Sequence, residues 1–257
     1  MCDIENFPFK RFLTLAKKGE VYTYNSYVLS TVVAQIKQYI VGHVIDIGCG
    51  ASSYVLSLSG EKSDSLITGL DLSFKNLVKN QIAHMKIVGD ANLMPFRKET
   101  SDCMMMVDVV EHLQNPGQCL REITRCLKAG RKLIIFTPNL YGASGTSTLG
   151  KLIPLSLRGR ILKLIRWPLS ASPYPLYYRL NTIKSLKKIA NETGLTVEKI
   201  FYMCSIPRWF YRWYTLALSY FSMIKLIVGI FKLRFLAEQF CIVLSKDRDV
   251  STPGAGA

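Results

Sequence analysis

The chain has 257 residues, 49% of them apolar, which excludes a disordered chain and leaves room for one α/β domain with insertions. The net charge of +15 is unevenly spread: 16 basic and 13 acidic residues fall in 1–150, 15 and 2 in 151–236, and 2 and 3 in 237–257. A basic excess confined to the C-terminal third points to an anionic partner, either a nucleic acid or membrane lipid.

In chain order, MCDIENFPFKRF carries acids and no long apolar core, so it does not read as a secretory signal. Residues 22–40 predict an amphipathic helix. HVIDI, from 43, predicts a short buried strand, followed by a Gly-rich turn and a helix over SSYVLSLS. SLITGLDLS holds a second strand ending near Asp71, and SFKNLVKNQIA a helix with Ser73 as N-cap. HMKIVGD predicts a third strand and DCMMMVDVV a fourth, with a turn through EHLQNPG. PGQCLREITRCLK predicts a helix with Gly130 just past its end, and RKLIIFTPN a fifth strand. After about 140 the regularity breaks: YGASGTSTLG is loop-like, KLIPLSLRGRILKLIRW is both apolar and basic, and SASPYPLYYRL is rich in Pro and Tyr. NTIKSLKKIANETGL predicts a helix stopped at Gly194, TVEKIFYMC a sixth strand, QFCIVLSK a last strand and STPGAGA a flexible tail. Alternating strands and helices of this size imply a parallel sheet covered on both faces. The seven cysteines, Cys2, Cys49, Cys103, Cys119, Cys126, Cys204 and Cys241, form no Cys-x-x-Cys pair and show no zinc spacing. Several lie in apolar runs, where free thiols behave as small hydrophobes, and the set reads as that of a reducing compartment.

A strand, a Gly-rich turn and a helix in succession are a general device for binding nucleotides beyond the carboxyl ends of strands. Here the turn is Asp46-Ile47-Gly48-Cys49-Gly50, and Ser53 stands where a G-x-G-x-x-G pattern needs its third glycine. Taken alone, this turn fits simple packing as well as binding. Asp71 closes the second strand 21 residues after Gly50, where an acid can accept both hydroxyls of a ribose. Asp90 closes the third strand, where a carboxylate could accept from an adenine amino group. Asp108 and Glu111 follow the fourth strand, so four strand ends present acids at one rim.

VIDIGCG, GLDLS, GDANLMPF, VDVVEHL and LKAGRKLIIFTPN, in this order and spacing, resemble the successive motifs of class I S-adenosylmethionine-dependent methyltransferases. The subgroup most resembled contains the ubiquinone-biosynthesis O-methyltransferases and many small-molecule methyltransferases. The resemblance is strong over about 40–140 and looser over 181–205 and 238–246. It implies a Rossmann-like α/β fold: a seven-stranded, mostly parallel sheet with the last strand antiparallel, plus helical insertions after strands five and six. The corresponding layout is an N-terminal helix and cofactor-binding core over 1–140, a basic, apolar lid over 141–180 and an aromatic insertion over 207–236. Residues 181–206 and 237–246 complete the sheet, and 247–257 form the tail. The implied cofactor is S-adenosyl-L-methionine, held by Asp46, Gly48, Cys49, Gly50, Asp71, Leu72, Asp90, Ala91 and Asp108. Asp46, Gly48 and Gly50 would flank the methionine part, Asp71 the ribose, and Asp90 with Ala91 the adenine. Ala129 and Arg131 depart from the Pro and Gly usual in the family, in a turn where fold and cofactor binding should survive.

Methyl transfer to a hydroxyl needs in-line placement and removal of a proton. His112, after strand four, is the candidate base, with Glu111 beside it; a role in capping or packing the turn stays open for His112. No metal is expected, although Asp108, Glu111 and His112 form a D-x-x-E-H cluster similar to an E-x-x-E-H magnesium motif, with a first acid one methylene shorter. His43 and His84 open strands one and three, at the edge of the sheet opposite the site, and read as structural.

On a helix, RGRILKLIRW would set Arg160, Lys163 and Arg166 against Ile161, Leu162, Leu164 and Ile165, a basic amphipathic face suited to an anionic membrane. A solvated lid helix is the plain alternative. In 208–236 no apolar run reaches the length of a spanning helix, while Trp209, Tyr211, Trp213, Tyr214 and Tyr220 could sit at headgroup level, with Lys225, Lys232 and Arg234 snorkelling. The expected protein is cytoplasmic and peripheral on the inner face of a membrane. It would O-methylate a small or lipid-linked amphiphilic acceptor: a quinone precursor, a lipid or a lipid-linked glycan. A nucleic-acid methyltransferase is the alternative that the charge allows; against it, the basic residues alternate with long aliphatics. A non-catalytic adapter on a membrane is a third reading, opposed by the intact Gly48, Gly50, Asp71 and Asp90.

Overall fold

The computed structural model describes residues 21–53, 55, 56, 65–141, 174–203, 219, 237 and 239–247. Helix α1 (Val21–Ile36) and a short 3-10 turn (Lys37–Tyr39) precede β1 (His43–Ile47). Then come β2 (Leu66–Asp71), α2 (Phe74–Lys79), β3 (Met85–Val88), β4 (Ser101–Val107), a 3-10 turn (Val110–His112), α3 (Pro116–Cys126) and β5 (Leu127–Pro138). α4 (Ile183–Glu192), β6 (Leu195–Met203) and β7 (Gln239–Lys246) complete the order. The seven strands form one sheet in the order β3-β2-β1-β4-β5-β7-β6. β1 to β5 pair in parallel, and β7 runs antiparallel to both β5 and β6. The seven-stranded, mostly parallel sheet expected from the motifs is therefore the one observed.

The central strands are apolar without interruption because both faces of the sheet are covered. Side chains alternate across a strand, so Met104 and Met106 enter one core with Ile45, Ile47, Leu133 and Ile135. Leu120 and Ile123 of α3 and Leu186 and Ala190 of α4 close that face. Cys103 and Met105 enter the other core with Val44, Ile134 and Phe136, closed by Val32, Val33 and Ile36 of α1. Each fully buried side chain of this size contributes about 1.5–3 kcal/mol relative to exposure. Cys49, Cys103, Cys119, Cys126 and Cys241 are free and buried, as small hydrophobes are.

Local signals set most of the boundaries. Ser73 caps α2, its hydroxyl accepting from Asn76 N, and Thr182 caps α4, accepting from Ser185 N. Several expected boundaries shift: the helix expected over SFKNLVKNQIA ends at Lys79, and the strand expected over DCMMMVDVV ends at Val107. α3 ends at Cys126 rather than Lys128, because Leu127 is already buried and paired with Ser101 in the sheet. Strand five accordingly starts four residues earlier than RKLIIFTPN, and Lys128 and Arg131 reach Asp102 instead of closing a helix. His43 and His84 are structural, as expected. The His43 ring bridges Thr100 O at 3.0 Å and Thr68 Oγ1 at 2.8 Å, and His84 Nδ1 accepts from Ile67 N.

The basic segment 160–167, nearly all of 207–236 and the tail from 248 lie outside the described residues, and the lid boundaries expected there lie outside with them. Among the described residues no helix is long and apolar enough to cross a membrane.

Candidate active site at the carboxyl ends of the strands

The strand order reverses between β1 and β4, and ligands of such sheets bind beyond the strand ends at that point. A cleft of about 310 Å³ lies there. One side of it comes from the strand ends: Ile47, Gly48, Leu70, Asp71, Leu72, Gly89, Asp90, Ala91 and Asn92. The other comes from Asp108, Val109, His112, Leu113 and Gln114 after β4, and from Tyr174, Pro175 and Tyr177.

The glycine turn is shaped for close backbone approach. Gly48 has φ +66°, and its N donates to Leu70 O, so the chain crosses the end of β2. A Cβ there would lie 2.4 Å from Val109 Cγ2. Gly50 has φ +55°, and a Cβ on it would meet no described atom within 4 Å. Asp71 holds this turn directly: Oδ2 accepts from Gly50 N at 2.9 Å and Oδ1 from Ser73 N at 2.8 Å. Each carboxylate oxygen still has a lone pair to offer. Asn80, fully buried, ties the turn from below, with Nδ2 donating to Gly50 O and Ser53 Oγ and Oδ1 accepting from Ile82 N and Ala83 N.

At the end of β3, Asp90 Oδ1 accepts from Asn92 N at 2.8 Å and from Asn92 Nδ2 at 2.9 Å, which folds the GDAN turn onto the cleft. Asn92 Oδ1 is buried with no hydrogen-bond partner.

Charge is concentrated after β4. Asp108 has φ +53°, and its carboxyl stands at the cleft wall, reached by solvent but crowded by protein atoms. That crowding pushes its pKa up, and the neighbouring His112 partly offsets it. Glu111 is 5% exposed; burial, reinforced by the Asp108 charge, pushes its carboxyl up to about 7. Its Oε2 accepts from Thr137 Oγ1 at 3.2 Å. Asp46 is also buried, and burial, with a smaller contribution from Asp71, raises its carboxyl to about 7 against a bond from Ser53. The Cys49 thiol is pushed up to about 12 by burial and by the Asp46 and Asp71 charges, which makes it a packing group rather than a nucleophile.

The His112 ring is fixed by a backbone group. Its Nδ1 lies 2.8 Å from Pro175 O, and Tyr174 packs edge-on against it with ring centroids 5.9 Å apart. A carbonyl oxygen only accepts, so Nδ1 carries the proton and Nε2 of the neutral ring is an acceptor.

Residues 45–135 match the model of the methyltransferase domain family. The chain is 28% identical over 112 residues to a demethylmenaquinone methyltransferase of Lactiplantibacillus plantarum, covering 40% of this chain and 47% of that protein. It is 25% identical over 125 residues to a ubiquinone biosynthesis O-methyltransferase of Coxiella burnetii, covering 44% and 53%. The chain thus spans about half the length of the curated relatives it matches. Among solved structures, it is similar in fold to a geranyl diphosphate C-methyltransferase from Streptomyces coelicolor, solved with Mg²⁺, geranyl diphosphate and S-adenosyl-L-homocysteine. The TM-score is 0.54 at 14% identity, covering 88% of this chain and 84% of that one. The fold is that of S-adenosylmethionine-dependent methyltransferases.

Within the matched residues 45–135, Gly48, Asp71, Leu72, Asp90, Ala91, Asp108 and His112 come together on the cleft. Asp46, Cys49, Gly50 and Glu111 are not among its lining residues. Asp46 and Cys49 are buried beneath the turn, and Glu111 is turned inward to Thr137, because a carboxyl that packs against β5 cannot also face the cleft. The same inward turn separates the D-x-x-E-H cluster: Glu111 bonds Thr137, His112 bonds Pro175, and no group of three His, Cys, Asp or Glu among the described residues could hold a metal ion. Reading the motifs missed Asn92, Gln114, Tyr174, Pro175 and Tyr177. The Pro- and Tyr-rich composition of 172–178 was the available signal, and the lid expected over 141–180 already contained the last three.

Proposed function

We propose that this chain is an S-adenosylmethionine-dependent methyltransferase that methylates an oxygen of a small or lipid-linked amphiphilic acceptor at a membrane surface. The observation that carries the reading is the cleft on which the Gly48 turn, Asp71, Asp90 and His112 converge. The fit to the cofactor rests on the side-chain-free Gly48 in the cleft wall, on the acceptor capacity left on Asp71, and on the unpartnered Asn92 Oδ1 beside Asp90. Asp71 would receive ribose hydroxyls, and Asp90, Ala91 and Asn92 would border the adenine. When bound, S-adenosylmethionine supplies a methyl group already activated by its sulfonium. His112 Nε2 would take the proton of the acceptor hydroxyl, and Asp108 would steady the charge that the imidazole gains. Tyr174 and Tyr177 would supply an apolar, aromatic wall against the acceptor. The membrane part of the reading comes from the basic, apolar composition of 151–236.

Calorimetry with S-adenosylhomocysteine tests the centre of the proposal, and absence of binding by the wild-type chain would sink it. Co-sedimentation with anionic liposomes tests the membrane contact. Binding to RNA or DNA with a steep salt dependence, and none to liposomes, would favour a nucleic-acid acceptor instead. Mass spectrometry of lipids and metabolites from cells lacking the gene should reveal the acceptor as a species lighter by one methyl.

A further inference from the structure

Glu111 grips the segment 174–181 at two points. Its carbonyl oxygen accepts from Tyr177 N at 2.7 Å and Tyr178 N at 3.1 Å. Its carboxyl accepts from Thr137 Oγ1, which in turn accepts from Asn181 Nδ2 at 2.7 Å. Asn181 Nδ2 also donates to Pro138 O at 3.0 Å, and Asn181 O accepts from Leu140 N at 2.7 Å. Glu111, Thr137 and Asn181 are all buried, so this linkage runs through the interior, between the turn after β4, the end of β5 and the entry to α4.

The segment is strained where it is gripped. Tyr178 has φ +51° and Asp108, on the other side of Glu111, has φ +53°. Such conformations are unfavourable for residues with side chains and persist only where the surroundings over-determine them. The segment carries Pro175, whose carbonyl accepts from His112 Nδ1, and Tyr174, which packs on the same ring.

We propose that Glu111 is a positioning residue: by clamping 174–181 through Thr137 and Asn181, it keeps the Pro175 carbonyl on His112 Nδ1 and so presents Nε2 to the cleft with its lone pair free. The importance of that lone pair rests on the reading of His112 as the base; the clamp itself does not. Two-dimensional ¹⁵N NMR of the histidine rings in the full, ligand-free chain reads the tautomer directly, at a pH that keeps the imidazole neutral. Wild type should show His112 protonated at Nδ1. Glu111→Ala and Thr137→Val should each give an averaged mixture of the two tautomers, and Glu111→Gln, which leaves an acceptor for Thr137, should restore the wild-type pattern. Folded Glu111→Ala and Thr137→Val proteins with an unchanged His112 signature would overturn the proposal. If Glu111→Ala fails to fold, Thr137→Val decides the matter alone. The readout needs neither cofactor nor acceptor, so a wild type unable to transfer methyl groups would overturn the proposed function and leave the clamp standing.

Discussion

His112 and Pro175 are 63 residues apart in sequence, yet Nδ1 of one lies 2.8 Å from the carbonyl oxygen of the other. This single bond decides which nitrogen of the ring can act as a base, and it crosses between the matched residues 45–135 and the segment that follows them. Replacing His112 by Ala should therefore lower the rate of methyl transfer by about 10²–10⁴-fold, the usual worth of general base catalysis. The affinity for S-adenosylhomocysteine should change little. Rate measurements under cofactor saturation, paired with calorimetry, check both halves; an unchanged rate would remove His112 from the chemistry.

Asp71 combines two tasks, since one of its oxygens holds Gly50 N of the glycine turn, the other Ser73 N at the start of α2, and the residue itself lines the cleft beside Leu72. Asp71→Ala leaves Gly50 N and Ser73 N without partners and removes the expected ribose acceptor. Cofactor affinity should fall by about 10–100-fold, corresponding to about 1.5–3 kcal/mol for a hydrogen bond to a charged group. Calorimetric titration of the variant checks it.

Gly48→Ala places a Cβ 2.4 Å from Val109 Cγ2 in a backbone conformation that disfavours side chains. A loss of about 1–3 kcal/mol in stability is expected from overpacking, with weaker cofactor binding. Adding Val109→Ala should recover part of the stability but not the part that comes from φ +66°. A denaturant titration of both variants separates the two causes: complete recovery would mean that the contact alone matters.

The buried Glu111 makes stability depend on pH with a definite sign. Its carboxyl moves from an ordinary 4.5 to about 7 on folding, so the folded state holds the proton more tightly than the unfolded one. The associated stability is full below about pH 4.5 and is lost as pH rises through 7. The loss is on the order of 3 kcal/mol. Glu111→Gln should flatten the wild-type slope between these values in urea titrations, whereas Asp46, shifted in the same direction, should leave a residual slope.

Met104 is fully buried between the sheet and α3. Met104→Ala should cost about 2–5 kcal/mol, the range for such cavities, and chemical denaturation measures it. Cofactor affinity should hold wherever the variant remains folded, because Met104 does not line the cleft.

Much of the architecture was legible because its signals are local. QFCIVLSK coincides with β7 from Gln239 to Lys246, and Ser73 caps α2 as its hydroxyl allows. Where a boundary moved, a pairing between distant residues was the reason. Leu127 leaves its helix for the sheet because Ser101, 26 residues earlier, gives it a strand partner. The site divides in the same way. Gly48, Asp71, Leu72, Asp90, Ala91, Asp108 and His112 sit at strand ends, and strand ends gather wherever a parallel sheet forms.

By itself the sequence determined the sheet, its order of elements and the rim of acids, since apolar periodicity and glycine spacing act over a few residues at a time. Only the tertiary structure decided which of two adjacent side chains faces the cleft. Glu111 and His112 are neighbours in a single turn, and either could serve an acid–base role on composition alone. Packing against Thr137 draws Glu111 inward, and Pro175 holds His112 at the cleft, because each polar group takes the partner that the fold brings within reach.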